Sequence, residues 1–294
     1  MSGSPPLVSV VLPVRDGAAT IAEQLDSLLE QQLHAAWEAV VVDNGSVDAT
    51  ASIVRSYCAK YPQLRVVSAP NGTGINFARN AGVQAARGKF IVICDADDVV
   101  QPGWLAAHAR ELVRGEAELT GGPLDEDSLN RPGIAAMNRV RDSAKPPCAG
   151  SFLPYAVGCN IGFSKSLWQA LGGFNDLWQR GGTEIEFCWR AQLAGYTLLW
   201  VPDAIVAYRH RTTRCAELVR RFRSAQAMAR LHSEFAEEGM PRASNRRAAR
   251  AWAWLAFKSP RVFFDQDFGR RWTQTLAWKG GLLVGSVRYR VLYL

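Results

Sequence analysis

Between residues 8 and 98, four short apolar runs are separated by helical stretches, and no other feature restricts the fold so strongly. Val8-Ser9-Val10-Val11-Leu12-Pro13 reads as a first buried strand, and Ile21, Leu25, Leu28 and Leu29 follow at helical spacing. Ala39-Val40-Val41-Val42 is a second strand, and Asp48 is placed to cap a helix bearing Ile53, Val54 and Tyr57. Leu64-Arg65-Val66-Val67 is a third. After the turn Asn71-Gly72-Thr73-Gly74 comes a helix of small residues, Ala78, Ala81, Gly82, Ala85 and Ala86, suited to packing close on a sheet. Phe90-Ile91-Val92-Ile93-Cys94 is the fourth strand and runs straight into Asp95-Ala96-Asp97-Asp98. Short, largely apolar strands alternating with helices predict an α/β fold with a mostly parallel sheet and flanking helices.

Ligands of such sheets collect outside the carboxyl ends of the strands. Acids stand there on three loops: Asp16 after the first strand, Asp43 after the second, and the Asp95–Asp98 cluster after the fourth. Alone, D-x-D is more often a helix cap or a solvated turn. On a shared rim, two carboxylates one residue apart can hold a hard divalent cation, and the cation can hold phosphate oxygens. The Asn71–Gly74 turn lacks the Lys-Ser/Thr of a Walker motif and is not in the first loop, so neither a P-loop nor a dinucleotide fingerprint is expected.

Beyond Gly121 the pattern is irregular. Asp125–Pro147 reads as a loop or flap, Ser164 as the cap of a short helix through Leu167, Trp168 and Leu171, and 197–201 as a strand. Thr183 and Glu186 have capping-box spacing at the start of a helix that ends near Gly195, which leaves Glu184 freer for chemistry. His210 taken by itself is an ordinary histidine.

The charge is uneven. From Ala204 onward 18 Lys and Arg face 6 Asp and Glu, a balance of +12, against −5 for residues 1–203. Arg beside Trp in this tail is the composition of helices lying in a membrane interface, and equally of helices packed on a domain with Arg on the wet face. No window approaches a membrane span, and Met1-Ser2-Gly3-Ser4-Pro5-Pro6 lacks the basic start of a signal peptide. Six cysteines without a C-x-x-C pair read as reduced core thiols. The expectation is a cytoplasmic protein, at the inner face of the cell membrane if the tail binds lipid.

In this order and spacing, the segments Val8–Asp16, Val41–Asp48, Asn71–Gly82, Asp95–Asp98, Gly172-Gly173-Phe174 and Glu184–Arg190 resemble the family 2 inverting glycosyltransferases of GT-A fold. The likeness covers roughly residues 7–211. It implies a catalytic domain over 1–211, with a nucleotide-binding half to about residue 100 and an acceptor half after it. A helical extension would occupy 212–294. It also implies residue roles. Pro13 and Asp16 line the base pocket, Asp43 meets the base, and Arg79, Asp95 and Ala96 lie along the nucleotide and ribose. Asp97 binds Mg²⁺ or Mn²⁺, with His210 as a further metal contact, and Glu184 is the general base. Many members carry Glu-Asp where this chain has Thr183-Glu184, so Glu186 stays open as the alternative base. Asp98 is left to cap the segment after it. The implied partners are a uridine or thymidine diphosphate sugar, guanosine next, and a lipid-linked or cell-envelope glycan as acceptor, with no nucleic acid. Two competing readings are a sugar-1-phosphate nucleotidyltransferase and a nucleotide-sugar-binding protein without turnover. The first is opposed by the lack of a basic, Gly-rich loop after the first strand.

Overall fold

The computed structural model describes residues 5–70, 72, 74–131, 144–179, 181–211 and 213–294. Its strands are β1 (Val8–Val14), β2 (Trp37–Asp43), β3 (Leu64–Ser68), β4 (Phe90–Ile93), β5 (Val99–Val100), β6 (Leu119–Gly121), β7 (Leu124–Asp125), β8 (Ile161–Ser164), β9 (Leu198–Trp200) and β10 (Val206–Ala207). The α-helices are α1 (Ile21–Leu29), α2 (Thr50–Lys60), α3 (Ile75–Ala85), α4 (Trp104–Arg114), α5 (Lys165–Ala170), α6 (Thr183–Leu193), α7 (Arg214–Phe235), α8 (Asn245–Phe257) and α9 (Gln266–Arg288). The chain divides into two compact units. One comprises Met1–Pro147, Pro154–Gln179 and Thr183–His210; the other comprises Cys148–Leu153, Arg180–Gly182 and Arg211–Leu294.

The first unit is built on a seven-stranded sheet of order β3-β2-β1-β4-β8-β6-β9, as its four leading apolar runs require. Strands β1 to β4 pair in parallel, and β1 is fully buried along its length. Pro13 is accommodated near the end of this central strand because pairing with β4 stops at Val11, so no ladder partner on that side needs an N–H from it. The small-residue helix packs as expected. A Cβ on Gly82 of α3 would stand 2.4 Å from Val11 and 2.8 Å from Val42, so only glycine lets α3 sit this close to the sheet. Strand β8 runs antiparallel between β4 and β6, which makes the sheet mixed on that side. Beside it, β5-β10-β7 form a three-stranded ribbon that brings the segment before His210 alongside the strand following the aspartate cluster.

Two elements differ from the sequence reading. Helix α4 had no counterpart in it, although Trp104, Leu105, His108 and Leu112 are buried at helical spacing. Asp48 lies one residue outside its expected cap position. Ala49 precedes α2, while the Asp48 carboxylate accepts from the backbone N–H of Thr50 at 2.9 Å. Ser164 caps α5 as expected, accepting from Leu167 N. Residues 132–143 of the expected flap lie outside the described residues.

The second unit is helical. Helices α7 and α9 pack through small residues: a Cβ on Gly281 would meet Phe222 O at 2.3 Å and Ala225 at 2.8 Å. Side-chain caps start all three helices, from Thr213, Ser244 and Asp265. Among the described residues no helix is long and apolar enough to cross a membrane. None of the six cysteines is in a disulfide. Cys94, Cys159 and Cys188 are buried as expected, whereas Cys148 and Cys215 are exposed and are not core thiols.

Candidate active site

Parallel pairing of β1, β2 and β4 brings their acidic loops to one rim. The first two loops are laced together. Asp16 adopts a left-handed backbone (φ 54°), and its Oδ1 accepts from Val47 N at 2.8 Å. Its own N–H donates to Ser46 Oγ, and the next two amides donate to Thr50 Oγ1 and Asp48 Oδ2. Asp43 holds the same turn from the other side, accepting from Ser46 N at 2.9 Å. Pro13 and Ala96 are buried beside these loops, and a Cβ on Gly17 would stand 4.0 Å from Ala96.

The loop after β4 is fixed from beneath and from the side. Buried Gln24 of α1 donates to Asp95 O and accepts from Val100 N, so one side chain spans the whole cluster. Arg209 holds the outer side: its N–H donates to Asp98 Oδ1 at 2.8 Å, its Nε to Asp97 O at 2.8 Å, and its Nη2 to Glu23 at 2.5 Å. Asp98 therefore does not cap α4. That helix starts after Gly103 in left-handed conformation, and the Asp98 side chain turns inward, 1% exposed, towards the Cys159 thiol. Burial, then the charges of Asp95 and Asp97, push the Asp98 carboxyl well above the ordinary range. Asp97 is the exposed member of the three.

Arg79 joins this loop to the first turn of α6. Its buried guanidinium donates to Gly158 O at 3.1 Å and to Thr183 Oγ1 at 3.2 Å, and lies 3.7 Å from Asp95 Oδ1. Gly158 carries no side chain because a Cβ there would stand 2.4 Å from Arg79 Nη2. Thr183 in turn donates to Glu184 Oε2 at 2.9 Å. Burial raises the Asp95 pKa to about 6; the Arg79 cation opposes this, and the charges of Asp97 and Glu184 add to it. Asp95 thus feels the charge of both Asp97 and Glu184, although Glu184 is far along the chain from it.

Glu186 is occupied elsewhere. It is 2% exposed and forms a two-point ion pair with Arg190, which also donates to Leu171 O and Gly173 O. The capping box expected between Thr183 and Glu186 is replaced by this pairing. Thr183 is itself the first residue of α6, with its hydroxyl engaged by Arg79 and Glu184.

His210 is buried against Glu126, with Nε2 3.2 Å from Oε2 and its backbone N–H on Asn130. Among the described residues, one group of three metal-capable side chains has its ligand atoms within 4.8 Å of one another: Asp95, Asp98 and Cys159. Neither Asp97 nor His210 belongs to it. A thiol is a poor ligand for a hard cation, so this buried trio is not the donor set that Mg²⁺ or Mn²⁺ prefers. Carboxylate oxygens of the rim, Asp97 exposed and Asp95 half-buried, do suit such an ion. Sequence reasoning missed Glu126, Gly158 and Arg209, which carry no motif and are recognisable only from what they touch.

A family model described as "Glycosyl transferase family 2" matches residues 9–172, more than half of the chain. The chain is 32% identical over 126 residues to the uncharacterized glycosyltransferase EpsJ of Bacillus subtilis, covering 43% of this chain and 36% of that protein. It is 27% identical over 208 residues to the glycosyltransferase AglE of Haloferax volcanii, covering 70% and 67%. It therefore spans between about one third and two thirds of these relatives' lengths. A solved structure of the mannosyltransferase PcManGT from Pyrobaculum calidifontis, in complex with GDP-Man and Mn²⁺, superposes with a TM-score of 0.65. That match has 22% identity and covers 98% of this chain and 88% of the other, and it shows a shared GT-A architecture.

Proposed function

The chain belongs to glycosyl transferase family 2, and from that premise we propose that it is a metal-dependent, inverting glycosyltransferase. It takes a sugar from a nucleoside diphosphate and delivers it to a hydroxyl of a lipid-linked or cell-envelope glycan at the cytoplasmic face of the membrane. The observation that carries this reading is the bonded chain Gly158–Arg79–Thr183–Glu184 beside Asp95, which ties a half-buried carboxylate on α6 to the acidic end of β4.

In this reading Pro13, Asp16 and Asp43 receive the base, and Arg79, Asp95 and Ala96 lie along the ribose and diphosphate. Asp97, with His210, would hold Mg²⁺ or Mn²⁺, which would supply Lewis-acid stabilisation of the departing diphosphate. Glu184 removes the proton of the acceptor hydroxyl as its oxygen bonds to the anomeric carbon and the bond from that carbon to the phosphate oxygen breaks. Attack from the face opposite the leaving group inverts the configuration in one displacement. Glu184 suits the base better than Glu186, because the Glu186 carboxylate is already neutralised by Arg190. The donor is a uridine or thymidine diphosphate sugar, with guanosine next.

The test is a screen of UDP-, dTDP- and GDP-sugars for nucleoside diphosphate release, with and without Mg²⁺ or Mn²⁺. Metal-dependent release, lost in Glu184→Gln, is expected. Pyrophosphate release from a nucleoside triphosphate and sugar phosphate would replace the proposal with a nucleotidyltransferase, and binding without turnover would replace it with a nucleotide-sugar-binding protein.

A further inference from the structure

Helix α9 has two opposed apolar sides, one packed on α7 and the other only partly covered. On the inner side Gly281 and Gly285 meet α7: a Cβ on Gly285 would stand 2.9 Å from Ala229 Cβ and from Gln226 Cα. Leu282 and Ser286 are buried on the same side. On the outer side Leu276, Leu283, Val284 and Val287 are 37%, 44%, 45% and 74% exposed. These positions stand at i, i+7, i+8 and i+11, which places them on one stripe of the helix. A soluble helix that is apolar on one face normally presents polar residues on the other. This one presents aliphatic side chains to solvent over about three turns.

The surrounding charge identifies what covers the stripe. After Asp267 in its first turn, α9 carries no acid; its ionisable side chains are Arg270, Arg271, Lys279 and Arg288. By helical spacing, Lys279 and Arg288 fall on opposite flanks of the stripe, where long side chains can keep their cations in a polar layer while aliphatic neighbours sit deeper. The chain from Ala204 onward carries a balance of +12. A second copy of this face would bring two strongly cationic surfaces together, which is unfavourable, whereas an anionic lipid surface complements it. The same unit exposes Phe257 and Phe264 almost completely, at 83% and 90%.

We propose that the outer stripe of α9, formed by Leu276, Leu283, Val284 and Val287 and flanked by Lys279 and Arg288, is a docking face for an anionic membrane surface, on which the helix lies in the interfacial plane. This inference stands on the second unit alone and is independent of the catalytic reading.

The test is co-sedimentation of the full chain with phosphatidylcholine vesicles and with vesicles of phosphatidylcholine and phosphatidylglycerol. The wild type is expected to bind the anionic vesicles and to be released as salt is raised. L283D and V287D change exposed positions and leave the Gly281 and Gly285 packing untouched, so thermal melts should be unchanged while partitioning falls about tenfold or more. K279A with R288A should weaken binding to anionic vesicles and leave the weak binding to neutral ones as it was. Wild-type-like sedimentation of L283D and V287D would overturn the proposal, as would a wild-type chain that ignores both vesicle types. A wild-type dimer in light scattering that L283D converts to monomer would assign the face to self-association instead. Donor hydrolysis by L283D should match the wild type, so failure here and failure of the catalytic reading are separable.

Discussion

Glu186 and Arg190 stand one turn apart on α6 and are joined by hydrogen bonds of 2.6 and 3.1 Å, a pairing that separates the two glutamates of this helix in role. Glu186 holds the segment around Gly173 through Arg190, while Glu184 keeps a carboxylate whose bonded partner is a neutral hydroxyl. Glu184→Gln should therefore lower turnover by about 10²–10⁴ with donor binding and melting temperature preserved. Glu186→Gln should behave in the opposite way. It leaves buried donors of Arg190 imperfectly matched, costs about 1–3 kcal/mol of stability, and retains most turnover per folded molecule. Chemical denaturation alongside initial rates distinguishes them; loss of turnover in a stable Glu186→Gln protein would exchange the roles.

Arg209 holds the aspartate loop through the Asp97 carbonyl while its other end meets Glu23. Asp97 is thereby held facing outward without being contacted at its carboxylate by this arginine. Arg209→Ala removes both side-chain bonds and should raise the Mn²⁺ concentration needed for half-maximal activity about tenfold or more, as removal of groups that orient metal ligands does. Arg209→Lys keeps a cation but loses the planar fork, so it should fall between the two. Metal titrations by activity and by calorimetry measure this. Unchanged metal dependence in Arg209→Ala would show that the loop keeps its shape without the clamp.

The parallel half of the fold was legible because three of its strands, β1, β2 and β4, are buried on both faces. Phe90–Ile93 is an uninterrupted apolar run and Val8–Val14 is broken only by Ser9, and an acid beyond the end of each marks the rim. Strand β8 was harder to place, since Ile161-Gly162-Phe163-Ser164 is short and its direction depends on the return path of the chain, not on composition. Helix α4 was missed, although Trp104, Leu105, His108 and Leu112 recur at helical spacing, because it starts after Gly103 without a polar cap to announce it. At the site, sequence order singled out Asp95, Asp97 and Glu184, but only the fold brings Glu184 to Asp95, with Arg79 seated between Asp95 and Thr183. Asp98 was read as capping the segment after it, which is strand β5. Its actual partner, the backbone of Arg209, is remote in sequence.

Gly158 provides a test of the Arg79 seat that leaves every charged residue in place. A methyl group at this position would stand 2.4 Å from Nη2 of Arg79 and 3.1 Å from its central carbon. The obstructing atoms are the end of a flexible side chain, so the fold can absorb the change by moving the guanidinium. Gly158→Ala should thus shift Arg79 away from Asp95 and Thr183 and release Glu184 from its fixed geometry. A displacement of about 1 Å at such a site can cost about 10²-fold in rate. The expected outcome is a large loss in kcat/KM with an ordinary melting temperature; near-normal kinetics would mean that Arg79 does not position the acids.

His108 sets a pH dependence of stability that is separate from the rim. It is fully buried on α4, with Nδ1 2.8 Å from Thr120 Oγ1 and Nε2 2.9 Å from Asn160 Oδ1. Asn160 donates both amide hydrogens to Pro123 O and Ala204 O, so its oxygen is an acceptor and Nε2 carries the imidazole proton. Neither Thr120 nor Asn160 is ionisable, and Trp104, the aromatic neighbour, also donates to Asn160. Burial therefore lowers the His108 pKa from 6.5 to about 4, opposed by its bond to Asn160. Because the folded pKa lies below the unfolded one, the unfolded chain binds the extra proton between these values. The contribution is complete above about pH 6.5 and is lost as pH falls towards 4, up to about 3 kcal/mol in all. Urea unfolding at pH 7.5 and pH 5.0 should show this loss in the wild type. His108→Gln should be less stable at pH 7.5, from disturbed packing, yet the difference between the two pH values should shrink by about 2 kcal/mol. An unchanged difference would assign the acid sensitivity to carboxylates held below their ordinary range, such as Glu38 and Glu217.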